Sequence, residues 1–213
     1  MISQLRKLSE GRGTGILGNY KPWIFGADFN SQGTCSGYPD PIHGRAVQVL
    51  SQGELRAYLK IRFNDKVFDI REQYPLLNVG KAYQIARDYG IQYPTDNEGK
   101  VIMTTDLLVV KTNGKKIAYS CKPNVKNLTE RDKEKLFIEG RYWIDSGIEW
   151  KLIETDKISK RLATNIRNAF EYYNLEAVHD CASEAKHLVA TRQINVDMEQ
   201  KINWVRLGKE LGL

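Results

Sequence analysis

The chain has 213 residues, 41% of them hydrophobic, a formal net charge of +6 and three cysteines. That length and apolar content suit one medium domain with a small appendage and exclude a disordered chain, while widely spaced cysteines with no C-x-x-C pair exclude a disulfide framework and a zinc ribbon. The basic balance favours an anionic partner, and a polar N-terminus with no run of about 18 apolar residues predicts a soluble protein of a reducing compartment, the cytoplasm, with no membrane association.

In chain order, residues 1–45 carry Gly11, Gly13, Gly15 and Gly18, then YKPWIF, then a Gly/Ser/Pro-rich stretch from Asn30 to Gly44, so little regular structure is expected there. No Gly-Lys-Ser/Thr follows the glycines and no apolar strand precedes them, so they predict a flexible arm rather than a phosphate loop. Its Arg6, Lys7, Arg12 and Lys21 would either lie along a DNA backbone or pack over the core. SQGELRAYLKIRF (51–63) predicts a short helix with Ser51 as N-cap and Leu55, Tyr58, Leu59 and Ile61 toward a buried face. Glu54 completes a Ser-x-x-Glu capping box, a local role that competes with metal ligation for one carboxylate. KVFDIREQYPLL (66–77) reads as a strand closed by Pro75, and GKAYQIARDYG (80–90) as a short helix ending at a glycine.

Residues 101–123, VIMTTDLLVVKTNGKKIAYSCKP, read as a β-hairpin around Asn113-Gly114. Asp106 sits among Met, Leu and Val, and Ser120 and Lys122 point to one side of the second strand. An acid on one strand and a Ser-x-Lys pair on the next suits phosphodiester hydrolysis: the carboxylate and a further oxygen hold a cation against the phosphate, and the lysine steadies the attacking water or the developing charge. A surface hairpin with a solvated Asp and Lys would show the same residues. Beyond it, Thr129 caps a helix to about Ser146 with Glu139 between Leu136 and Tyr142, and IEWKLIE (148–154) is a strand. The alternation of strands and helices predicts an α/β core with a mixed sheet over residues 1–156. Residues 157–213 read as a separate helical domain, with Ile158, Leu162, Ile166 and Phe170 on one stripe. His179, Cys181 and His187 do not share one helical face and read as solvated histidines rather than a metal site.

GRGTGILGNYKPW, SQGEL, DIREQYPLL, MTTD, CKP, EKL-x-x-E-x-RYW and TDK, in this order, resemble the TnsA family, endonuclease subunits of heteromeric cut-and-paste transposases. The resemblance implies a restriction-endonuclease-like core with a small helical, winged-helix-like C-terminal domain. It further implies Mg²⁺-dependent cleavage, with Mn²⁺ as a substitute, at the 5′ ends of the transposon. The implied partners are double-stranded transposon-end DNA, a TnsB-like transposase acting at the 3′ ends and a TnsC-like ATPase regulator. The family's two acids fall on Glu54 and Asp106 and its lysine on Lys122, which turns Glu54 from a cap into an expected metal ligand. Where the family usually has glutamine this chain has Ser120, a weaker oxygen ligand, with the Cys121 carbonyl and waters completing the shell. The alternative is a DNA-binding or assembly subunit with little or no catalysis, Ser120 being its main sign. Asp69, Arg71, Glu72 and Glu139 stay unassigned.

A two-residue turn at Asn113-Gly114 would set Asp106 opposite Cys121 and turn Ser120 and Lys122 to the other face. If Asp106 and Lys122 serve one phosphate, the hairpin must instead have an odd loop or a β-bulge.

Overall fold

The computed structural model of the chain describes residues 2–28, 36–97 and 99–213. In chain order the elements are α1 (Gln4–Ser9), β1 (Ser36–Asp40), β2 (Arg45–Val49), α2 (Gln52–Arg62), β3 (Val67–Pro75), α3 (Val79–Asp88) and the short pair β4 (Thr95–Asp96) and β5 (Gly99–Lys100). There follow β6 (Thr104–Lys111), β7 (Lys116–Lys122), α4 (Glu130–Ile144), β8 (Glu149–Glu154), α5 (Lys160–Phe170), α6 (Cys181–Ala190) and α7 (Trp204–Glu210). The central sheet has the order β3-β6-β7-β8. β6 runs antiparallel to both its neighbours, β3 and β7, whereas β8 runs parallel to β7, because α4 carries the chain back along the sheet before β8 begins. The expected mixed α/β sheet flanked by helices is thus formed.

Local chemistry fixes the helix starts. The Ser51 hydroxyl accepts from the Glu54 amide at 3.1 Å, and Thr129 with Asp132 forms a reciprocal capping box on α4. Gly90 and Gly147, just past α3 and α4, have φ of +66° and +71°, the left-handed conformation that stops a helix cheaply.

Two apolar layers sandwich the sheet. On one face, Tyr58 and Leu59 of α2 and Val47 of β2 pack with Ile70, Leu107 and Val109 of the sheet and with Ile166 and Phe170 of α5. On the other, Ala82 and Ile85 of α3 and Ile138 and Trp143 of α4 cover Leu108 and Ala118. The first layer continues into α6 through Val189, so the C-terminal helices share the core of α2. Of the predicted stripe, Ile158, Ile166 and Phe170 are buried and Leu162 is partly buried against the same layer. Among the described residues after Glu154 there are helices and no strand, so the helical part of the C-terminal expectation is met and no wing is formed. No helix among the described residues is long and apolar enough to cross a membrane.

The N-terminal segment corrects the flexible-arm reading. Tyr20 and Trp23 are buried, the Tyr20 hydroxyl donates to the Glu72 carbonyl at 3.0 Å, and the Trp23 amide donates to the Gln73 carbonyl at 3.1 Å. Gly15, at φ +89°, has space for a Cβ only 2.2 Å from the Asn19 carbonyl oxygen, so it serves close approach rather than mobility. The segment's cations are occupied locally: Arg12 pairs with Asp28 at 2.6 Å, Arg6 with Glu10 at 3.0 Å, and Lys7 lies 5.5 Å from the Trp23 ring centre. The Gly/Ser/Pro-rich stretch is corrected too. Its described part forms β1, paired with β2, buried at Tyr38 and tied to α2 by Asp40, which accepts from the Tyr58 hydroxyl at 2.9 Å. Cys35 lies outside the described residues.

Candidate active site

The β6–β7 hairpin does not turn on Asn-Gly alone. Leu107 pairs with Tyr119 and Val110 with Lys116, and the Lys111 amide donates to the Lys115 carbonyl at 2.8 Å. The loop is therefore Thr112, Asn113 and Gly114, with Gly114 at φ +80°. The expected odd loop is present, one residue earlier than a 113–115 loop. Continued regularly, this register would bring Asp106 opposite Ser120 on one face of the sheet.

It is not continued regularly. By the register of Glu72 with Leu107 and Tyr74 with Thr105, Gln73 lies opposite Asp106, and Gln73 has a left-handed φ of +47°. At this level the alternation of both strands reverses together. Glu72 and Leu107 face the α2 side, Glu72 bonding Arg45 and the Gln48 amide and Leu107 packing with Tyr58. Gln73 turns the same way, donating from Nε2 to Glu54 Oε2 at 3.2 Å. Tyr74 and Thr105, one residue further along, turn to the α4 side, where Tyr74 meets Trp143 at 5.9 Å between ring centres and the Thr105 hydroxyl donates to Glu139 Oε1 at 2.6 Å. Asp106 follows Gln73. Its carboxylate accepts from the Cys121 amide at 2.6 Å, and the Gln73 side chain facing it favours its charged form. In an unbroken ladder that amide would serve the Thr105 carbonyl, two residues beyond the Leu107–Tyr119 pair.

Glu54 and Asp106 thus meet between α2 and the sheet. Glu54 serves its cap as well: Oε2 accepts from the Leu50 amide at 2.9 Å and Oε1 from the Ser51 hydroxyl at 3.2 Å. Burial, and then the charge of Asp106, push the Glu54 carboxyl up to about 7, against the pull of the Leu50 amide, Ser51 and Lys122. Burial raises Asp106 as well, opposed by the Cys121 amide, the Lys122 ammonium and Gln73. Lys122 therefore acts on both acids, while the Cys121 thiol is buried in the apolar layer and pushed up by desolvation.

Ser120 goes elsewhere. It is 1% exposed and on the α4 side, its hydroxyl donating to Glu139 Oε1 at 2.6 Å and accepting from Trp150 Nε1 at 2.9 Å. The structure brings together Glu54, Asp106 and the Lys122 charge, with the Cys121 main chain beside them, and commits the Ser120 hydroxyl to Glu139. Glu139 is buried, and its carboxyl is pushed up to about 7 by desolvation and then by Asp106, against the bonds from Ser120, Thr105 and Trp150. In sequence Glu139 shows as an acid within an apolar stripe and inside the family-like EKL-x-x-E-x-RYW. Gln73 lies inside the family-like DIREQYPLL, with nothing local that marks its role.

Two hard carboxylates in a desolvated place, within the electrostatic reach of Lys122, are a donor set suited to Mg²⁺ or Mn²⁺ and unsuited to soft metals. Among the described residues no group of three or more His, Cys, Asp or Glu side chains is placed to hold a metal, so the acid pair would leave further positions to main chain, water and phosphate. The remaining charged residues of β3 belong to a separate buried network. Arg45 bonds both Glu72 oxygens at 2.6 and 2.7 Å, and Arg71 pairs with Asp69 at 2.8 Å. On α6, His187 is buried with Nδ1 2.9 Å from the Tyr172 carbonyl, not solvated as expected; His179 is exposed.

A family model described as TnsA-like endonuclease N terminal matches residues 64–155, which run from just before β3 to just after β8. The chain is 35% identical over 163 residues to the Transposon Tn7 transposition protein TnsA of Escherichia coli, an alignment covering 76% of this chain and 59% of that protein. The chain therefore spans less than two thirds of that relative's length. Asp106, Ser120, Lys122 and Glu139 fall inside the matched family segment, and Glu54 precedes it.

Proposed function

We propose, from the premise that the chain is a TnsA-like protein, that it is the endonuclease subunit of a transposase and hydrolyses a phosphodiester at the 5′ ends of transposon DNA in a Mg²⁺-dependent reaction, with Mn²⁺ as a substitute. Its proposed partners are double-stranded transposon-end DNA, a TnsB-like transposase and a TnsC-like ATPase. The observation that supports this most directly is the convergence of Glu54 from α2 and Asp106 from β6, with the Lys122 charge acting on both. Among the described residues neither acid has an ion pair of its own.

Glu54 and Asp106 would hold the ion, the Cys121 main chain lying beside them. Bound there, Mg²⁺ supplies a Lewis acid that polarises the phosphate and acidifies water. Near neutral pH a carboxyl titrating at about 7 is partly protonated, so Glu54 gives up a proton as it becomes a ligand. Lys122 steadies the attacking water or the charge that develops on the phosphate, in a place where desolvation strengthens its effect. Ser120 acts as support for Glu139 rather than as an oxygen ligand of the pair. The position two before Lys122 then brings the pair no side-chain oxygen, and the cation would rely on main chain, water and phosphate for its other ligands.

The test is a cation titration of DNA cleavage by the full chain with its TnsB-like partner present. Cutting at the 5′ ends that depends on Mg²⁺ and is lost in Asp106→Ala is the expected result. Normal cutting by that variant would overturn the site. Unmodified DNA at every cation concentration, with binding intact, would favour the assembly subunit.

A further inference from the structure

We infer that Gln73 is a positioning residue of the acid pair: its carboxamide holds Glu54 from the position opposite Asp106, and its left-handed backbone turns Asp106 off the α4 face toward α2. This rests on the nuclease reading of the pair.

Three non-glycine residues among those described have a positive φ, and Gln73 is the one that lies inside a strand of the central sheet. Glycine would adopt this backbone without steric cost, so a fold that needed only the kink has no use for a glutamine there. Gln73 is 1% exposed. Nε2 donates to Glu54 at 3.2 Å, Asp106 stands opposite in the neighbouring strand, and Oε1 accepts from the Thr104 hydroxyl at 3.4 Å, which orients the amide. The backbone is clamped as well. The Trp23 amide donates to the Gln73 carbonyl, and Gly13 lies so close to Pro75 that a Cβ there would stand 2.4 Å from the proline ring. With Asp106 directly opposite, the two strands reverse their alternation at one level, which separates Asp106 from Ser120 and delivers it to Glu54.

Two substitutions divide the backbone from the amide. Gln73→Gly keeps the left-handed φ and loses the carboxamide. Gln73→Met keeps the length and the strain and loses only the hydrogen bonds. The probe is Mn²⁺ alone, titrated calorimetrically into the full chain without DNA, alongside kcat and KM for cleavage and the unfolding midpoint without divalent cation. Both variants should bind Mn²⁺ about tenfold more weakly or worse, as when an outer partner of a ligand is removed. Their kcat should fall with KM little changed, and Gln73→Gly should unfold no earlier than the parent. Mn²⁺ affinity and kcat equal to the parent's in either variant, while Asp106→Asn loses Mn²⁺ binding, would overturn the inference and leave the acid pair standing. Parental Mn²⁺ affinity in Asp106→Asn would overturn the acid pair itself, and this inference with it. A misfolded Gln73→Gly would show that the glutamine is needed by the fold and overturn the separation of kink from amide, leaving Gln73→Met to decide the amide's part.

Discussion

Replacing Asp106 with asparagine removes one negative charge and keeps an oxygen for the Cys121 amide, so it isolates the electrostatic cost of the acid pair. In the folded protein burial and then the Asp106 charge raise Glu54 from 4.5 to about 7. A carboxyl with a raised folded value holds its proton more tightly folded than unfolded, so stability falls as pH rises from about 4.5 to about 7, and the whole penalty is present above that window. At about 1.4 kcal/mol per pH unit, the full shift of one such acid corresponds to about 3 kcal/mol, most of it burial rather than the neighbouring charge. Relief of the Asp106 charge, the second cause of that shift, should return about 1 kcal/mol at pH 8 and little of it at pH 5. For a chain of this size that is a rise in Tm of about 2–4 °C. Thermal unfolding in chelator at the two pH values measures it. Excess Mg²⁺ should erase the advantage, because only the intact pair gains from binding. A variant less stable than the parent at pH 8, or equally stabilised at both pH values, would show that the two carboxylates do not burden each other.

Three further outcomes can be measured independently. Lys122→Ala should keep DNA and Mn²⁺ binding while kcat falls by about 10²–10⁴, the range for a lost charge stabiliser; a loss of cation affinity matching that of Asp106→Asn would contradict its role. Glu139, raised to about 7, should show the same sign: Glu139→Gln is expected to gain about 1–2 kcal/mol over the parent at pH 8 and to lose that margin by pH 5, in paired urea melts. An equal margin at the two pH values would mean that the buried acid is not ionised at pH 8. Gly15→Ala, at φ +89° with its Cβ 2.2 Å from a carbonyl oxygen, should cost about 2 kcal/mol or more by urea unfolding; a change within about 0.5 kcal/mol would restore the loose arm.

The helices were legible because their ends are written in single residues: Ser51 and Thr129 cap, Gly90 and Gly147 stop. The mixed sheet was legible from alternating periodicity. Glu54 was legible only in part, since Ser-x-x-Glu describes a cap that does form, and resemblance was needed to suggest a second use for the same carboxylate. Three things were not legible, each because tertiary contact overrides a local rule. Strand alternation places Asp106 with Ser120 once the loop is odd, but nothing in DIREQYPLL announces that Gln73 reverses it. The glycines of GRGTG look like slack in sequence and are close-approach points against Pro75 and Asn19. The polar stretch before Gly44 yields β1 because Tyr38 and Asp40 find partners on β2 and α2, far beyond any local propensity.

Glu54 rides on a helix, whereas Asp106 and Lys122 ride on the sheet beneath it. The gap between the two acids is accordingly the thickness of the apolar layer that separates α2 from β3 and β6, and Tyr58, Leu59, Ile70 and Leu107 act as its spacer. Interiors are packed too tightly for such a spacer to stretch or thin freely. A methylene gained or lost there resets the bite of the pair without touching either carboxylate, so the gauge of this site is kept by residues that carry none of its chemistry. The same shim extends into α5 through Ile166 and Phe170, which makes the C-terminal helices part of the calliper.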